Sequence, residues 1–124
     1  MLVTWQIPNL DLDDYKGRPL DGVWATAPYL HNGAVANLYE LLLPANELMK
    51  GFCVGNREFD PAHVGFVTSR DQAACRYSWL DTTLPGNSSA GHEYGVVACG
   101  PDDTGCRKKR DDEILTLVEY MKTL

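Results

Sequence analysis

The sequence contains no C-x-x-C pair, although it holds four cysteines, and only three histidines are present. No two candidate ligands stand at H-x-x-x-H or a similar metal-binding interval, so a zinc site built from the histidines and scattered cysteines has little support. G-x-S-x-G, Walker-type and G-x-G-x-x-G motifs are absent as well, which leaves acyl transfer, nucleotide hydrolysis and dinucleotide binding without a foothold. Positive charge is scarce. Eleven Lys and Arg face 17 Asp and Glu, for a formal charge of −6, which argues against nucleic acid or an anionic membrane as the main partner. No apolar run approaches the ~20 residues that span a bilayer, and "MLVTWQIPNL" lacks the charged and apolar regions of a secretory leader.

What is present reads as one unit. A chain of 124 residues is enough for a single domain with a modest core. The strongest helix signal covers residues 111–124, "DDEILTLVEYMKTL". There Ile114, Leu115, Leu117, Val118, Met121 and Leu124 recur at helical spacing behind an acidic first turn. "NLYELLL" predicts a shorter helix capped by Asn37 and stopped by Pro44, with a few helical residues near Asn46 to Met49. The run Arg107-Lys108-Lys109-Arg110 is cancelled by Asp111-Asp112-Glu113, and is expected to be a solvated face before the last helix. Residues 50–110 show many turn residues and little periodicity, with at most a short strand in "HVGFVTS". So much loop implies that disulfides hold the chain or that it packs on a large apolar object outside itself.

Cys99 and Cys106 bracket "GPDDTG", a turn-rich loop that can bring their sulfurs together, leaving Cys53 and Cys75 as a second pair. Four free or buried thiols are the alternative; two disulfides would imply an oxidising compartment. The histidines are the residues with the widest chemical range. His92 lies in "SSAGHEYG", where flanking glycines let the backbone approach a flat cofactor closely, and a surface turn is the competing reading. His31 lies in "ATAPYLHNG", and His63 in "FDPAHVGF" reads as an ordinary loop residue.

The segments "YKGRPLDGVWATAPYLHNGAVANLYELLLP", "REFDPAHVGF", "DTTLPGNSSAGHEYG" and "LVEYMKTL" resemble the C-terminal part of the bacterial di-haem cytochrome c group. That group comprises the di-haem cytochrome c peroxidases and the rubber-oxygenase-like proteins. The resemblance implies a mainly α, cytochrome c-like fold with extensive loops. Residues 1–124 would form the C-terminal portion of a domain lacking its haem-attachment half, and Met1 would not be a native start. It implies haem c as cofactor and an oxidoreductase of peroxidase or oxygenase type as the whole protein, with this chain alone inactive. A periplasmic or secreted location follows, with the upstream haem-bearing part as partner and a further redox partner possible.

In that group C-x-x-C-H fixes each haem and supplies the proximal histidine; these residues hold no such motif. Carried over by position, His92 is the candidate distal ligand and Met49 the alternative. His31 shapes the pocket, Arg18 is a candidate propionate partner, and Trp24 and Tyr29 supply an apolar edge. A different class of reading is a small disulfide-stabilised binding or structural domain without a cofactor.

Overall fold

In the computed structural model, which describes residues 17–90 and 97–124, six regular elements follow one another. They are α1 (Leu38–Leu41), β1 (Gly51–Val54), β2 (Phe59–Asp60), β3 (Gly65–Phe66), β4 (Ser78–Asp81) and α2 (Thr104–Met121). Single 3-10 turns occupy Val23–Ala25, Ala45–Glu47 and Gln72–Ala74. With about 30% helix and 15% strand, the chain is a mixed fold, not the mainly α arrangement expected. The physical reason is the missing periodicity of residues 50–110. Strands of two to four residues do not alternate long enough to register, and β1 finds its antiparallel partner β4 only after a long excursion, Gly51 opposite Asp81 and Val54 opposite Ser78.

Asn37 caps α1 as its sequence predicts, its Oδ1 accepting from the Glu40 amide at 2.8 Å. The other free amides of that first turn are satisfied from outside. Leu38 and Tyr39 donate to the carbonyls of Val64 and His63 at 3.1 and 3.2 Å, so the β2–β3 hairpin docks directly on the helix start. The approach is close enough to need glycine at position 65, where a Cβ would lie 2.5 Å from the Ala36 carbonyl oxygen. Val64, a β-branched residue, is left at φ 60°, a strained conformation that its surroundings impose. Its amide donates to the Asp60 carbonyl at 2.9 Å, and its side chain is fully buried.

α2 begins seven residues earlier than its apolar spacing indicates, because Asp103 accepts from the Cys106 amide at 2.8 Å and the Cys99–Cys106 disulfide pins the first turn. The basic run is therefore inside the helix. Lys108 and Lys109 are solvated, whereas Arg110 is buried, in contrast to the expected exposed face. Of the apolar residues of this helix, Ile114, Val118 and Met121 enter the main core with Tyr29, Val35, Leu38, Leu42, Leu43, Leu48 and Val64, while Leu115 and Leu117 remain exposed. Each fully buried aliphatic side chain of this kind stabilises the fold by about 1.5–3 kcal/mol. Past the helix end, the Leu124 carbonyl accepts from the Gly22 amide and the Trp24 indole, both at 3.2 Å, and so ties the chain end to residues 22–24.

Both expected sulfur pairs form: Cys53–Cys75 and Cys99–Cys106. The first joins β1 to the segment just past the Gln72–Ala74 turn. Thr68 also donates its hydroxyl to the Cys53 carbonyl at 2.7 Å, and the Cys53 amide donates to the Ser69 carbonyl at 3.3 Å. Residues 68–75 are thus held to β1, whose Phe52 joins Ala36 and Met49 in a second, smaller core. Among the described residues no helix is long and apolar enough to cross a membrane.

Candidate functional site

The "ATAPYLHNG" stretch is a tight hairpin. Tyr29 and Val35 exchange backbone hydrogen bonds, the Tyr29 amide donating at 2.7 Å and the Val35 amide at 3.4 Å, with His31 exposed at the tip. The turn requires left-handed backbone at Leu30 and Gly33, both at φ 66°. Asn32 does two things. Its Oδ1 accepts from the Ala34 amide at 3.2 Å, and its Nδ2 donates to the Gly86 and Ser88 carbonyls at 3.1 and 3.0 Å. The hairpin is thereby fastened to the segment that precedes the "GHEYG" motif. His92 itself lies outside the described residues.

The remaining sequence-derived candidates are dispersed. Arg18 is exposed, and Trp24 shows its ring at the surface while its Nε1 is engaged by Leu124. Tyr29 backs the hairpin from the core, its hydroxyl donating to the Val23 carbonyl at 2.8 Å, and burial pushes its pKa up to about 12. Met49 is buried against Ala36 and Phe52. Covalent haem attachment is outside the chemistry of these residues, since all four sulfurs are committed to disulfides. Among the described residues, no cluster of three or more His, Cys, Asp and Glu side chains could hold a metal ion.

A second place gathers chemistry that the sequence did not single out. A cleft of about 310 Å³ opens between α1, the β2–β3 hairpin and residues 68–70, lined among others by Tyr39, Glu40, Met49, His63, Phe66 and Arg70. Glu40 is only 5% exposed; its Oε1 accepts from Arg70 and its Oε2 from the Met49 amide at 3.4 Å. Burial pushes its carboxyl above the ordinary range, against the pull of Arg70 and the Met49 amide. Opposite stands an imidazole–carboxylate pair: His63 Nδ1 lies 2.8 Å from Asp60 Oδ2, and the ring packs edge-on to Tyr39 at 4.9 Å between centroids. Partial burial raises the Asp60 carboxyl, but the hydrogen bonds from the His63 ring and from the Ala62 and His63 amides outweigh it and hold it below the usual range. Asp60 thus orients His63 and leaves Nε2 turned away from the pair. The "DPAH" spacing could have disclosed this, because an aspartate that caps the next two amides also brings its carboxylate to the histidine three residues on. Nothing local announces that Arg70, 30 positions from Glu40, completes the cleft.

Two curated relatives come from Sinorhizobium fredii. The uncharacterized protein y4iJ is 46% identical over 110 residues, covering 89% of this chain and 18% of its own length. The uncharacterized protein y4iM is 34% identical over 119 residues, covering 88% of this chain and 27% of its own. The chain therefore spans between a sixth and a third of the length of the curated relatives it matches. No solved structure matches it. The family model that matches is that of RoxA-like, cytochrome c-like proteins, and the similarity covers residues 14–50, which include the "ATAPYLHNG" hairpin.

Proposed function

We propose that this chain is the haem-facing segment of a c-type redox protein: it packs against a haem carried by an upstream part of the same protein and supplies the distal axial ligand through His92. The observation that carries this reading is the pair of bonds from Asn32 to the Gly86 and Ser88 carbonyls. They join the hairpin inside the family-matched segment to the chain just before His92, so the two motifs behind the resemblance are physically coupled. Haem c, when bound, supplies an iron that passes single electrons. The chain's own residues do the rest. The His92 imidazole completes the coordination, His31 shapes the pocket from the hairpin tip, and Arg18 pairs with a propionate. Trp24 contributes an apolar surface edge, and Tyr29 supports the hairpin from behind. Met49 is the weaker alternative ligand because its side chain is buried with Ala36 and Phe52.

In this reading the chain would hold and orient the haem that carries the electrons, and any peroxidase or oxygenase chemistry belongs to the whole protein. The two disulfides support an oxidising compartment, the periplasm or the exterior. The test is the optical and electron-paramagnetic spectrum of this chain joined to its haem-bearing part. His92→Ala is expected to convert a low-spin, six-coordinate iron to high spin, and Met49→Leu to leave it low-spin. The reverse result moves the ligand to Met49. If neither substitution alters the spectrum, the disulfide-stabilised domain without a cofactor becomes the better account, a reading already supported by a core and two disulfides that form from this chain's own residues.

A further inference from the structure

We propose that the Glu40–His63–Arg70 cleft is a binding site for a carboxylate carried on a flat apolar body. The polar groups of this cleft divide by direction. Both carboxylates are engaged by the protein: the oxygens of buried Glu40 accept from Arg70 and the Met49 amide, and those of partly exposed Asp60 from the Ala62 and His63 amides and the His63 ring. Facing outward without a protein partner among the described residues are the rest of the Arg70 guanidinium, whose side chain is 59% exposed, and Nε2 of His63, which donates when the ring carries both protons and Asp60 accepts from Nδ1. A guanidinium fork beside an imidazolium matches a carboxylate in charge and geometry. No cluster of three or more metal-ligating side chains stands among the described residues.

The rest of the cleft selects what bears the carboxylate. Phe66, braced edge-on by Phe59 at 6.4 Å, and Val67 are both exposed on the cleft wall beside the Tyr39 ring, which offers a surface for an aromatic or otherwise planar group. The site is also pre-set before a ligand arrives. The strained Val64 and the Asp60 hydrogen bonds fix the imidazole, while the Cys53–Cys75 bridge and Thr68 hold the segment that carries Arg70. None of this depends on His92 or on iron. Two sources share the required chemistry, a free aromatic acid and the propionate of a porphyrin.

The test uses the 124-residue chain and follows the His63 ring protons by NMR during titration with benzoate, with benzamide as the neutral control. Benzoate is expected to give a saturable shift and benzamide none. His63→Gln and Arg70→Gln, followed through the amide signals of the hairpin, should each weaken benzoate by about tenfold, the loss of one charge-assisted contact. Glu40→Gln should strengthen it by releasing Arg70. Metal-free protoporphyrin, followed by fluorescence, separates the sources. Tighter binding than its dimethyl ester, lost in His63→Gln, points to a propionate; equal binding of the two leaves the free acid as the occupant. The proposal is overturned if benzoate gives no saturable shift, if benzamide matches it, or if both substitutions bind like the native chain. Should Arg70→Gln fail to fold, His63→Gln decides. Because no iron is present, the result is independent of the His92 assignment.

Discussion

Two arginine–glutamate pairs in this molecule use the same groups in opposite ways. At the cleft the carboxylate is buried and the cation is outside: Glu40 is 5% exposed and Arg70 59%. Between α2 and the Ala45–Glu47 turn the arrangement is inverted, with Arg110 5% exposed and Glu47 26%. Arg110 grips Glu47 with both Nη atoms, at 2.9 and 2.8 Å, and reaches Asp111 at 3.1 Å. Those bonds hold the Glu47 carboxyl below its ordinary range and raise the arginine further, whereas burial leaves Glu40 above its own. The first pair therefore keeps a carboxylate that the fold would rather see protonated, beside a cleft with free donors. The second is a structural clamp in which the buried cation is held by two partly exposed carboxylates.

The largest effect expected concerns the support of the cleft. Replacing Cys53 and Cys75 by alanine should cost about 3 kcal/mol in urea unfolding, from the loop it releases. Amide exchange should accelerate over residues 68–75 while the Arg110 clamp stays protected; equal loosening of both would erase the distinction. Next comes Glu47→Ala, which leaves a buried guanidinium with Asp111 alone. A cost of about 2 kcal/mol is expected, below the range for a fully buried pair because Glu47 is partly exposed.

Glu40→Gln sharpens the contrast, since it removes a charge that folding disfavours. It should change stability by less than about 1 kcal/mol near neutral pH, in the stabilising direction. Acid titration then gives the two sites opposite signs. Glu47 has a depressed folded pKa, so its contribution is present above the ordinary carboxylate range and is lost as pH falls through the folded value. Glu40 has a raised one, so its contribution is present below that range and is lost as pH rises through the folded value. Unfolding midpoints of Glu47→Gln and Glu40→Gln against the native chain should therefore start on opposite sides at neutral pH and converge in acid; midpoints displaced to the same side would refute the assignment. The smallest effect belongs to the surface pair Lys122–Glu119, where Lys122→Ala should cost under about 0.5 kcal/mol and lose even that in high salt.

These contrasts explain which parts were readable in advance. Asn37, Pro44 and the apolar spacing of Ile114, Val118 and Met121 act on their own neighbours in sequence, and the elements they predict are present. So is the Cys99–Cys106 loop, closed across a turn of its own residues. The earlier start of α2 was less visible because Asp103 sits among turn residues that read equally well as loop. Arg110, legible only as one member of a solvated basic run, owes its burial to Glu47, which lies 63 positions away. The mainly α expectation failed for the same reason: β1 is specified by β4, and four residues of "GFCV" hold no such information alone. His63 reads in the sequence as a loop residue, whereas its orientation comes from Asp60 beside it and its place in a cleft from Arg70 across it.

Local chemistry thus decides the helix caps, the hairpin at Tyr29 to Val35, the short disulfide and the Asp60–His63 pair, because each is complete within a few residues. Tertiary structure alone decides that Asn32 fastens one motif to another, that Glu40 is buried under an exposed arginine and that Arg110 is clamped. Burial and charge pairing depend on which distant segments fold against each other, and a carboxylate's preference for its charged or neutral form follows from that packing rather than from its neighbours in the chain.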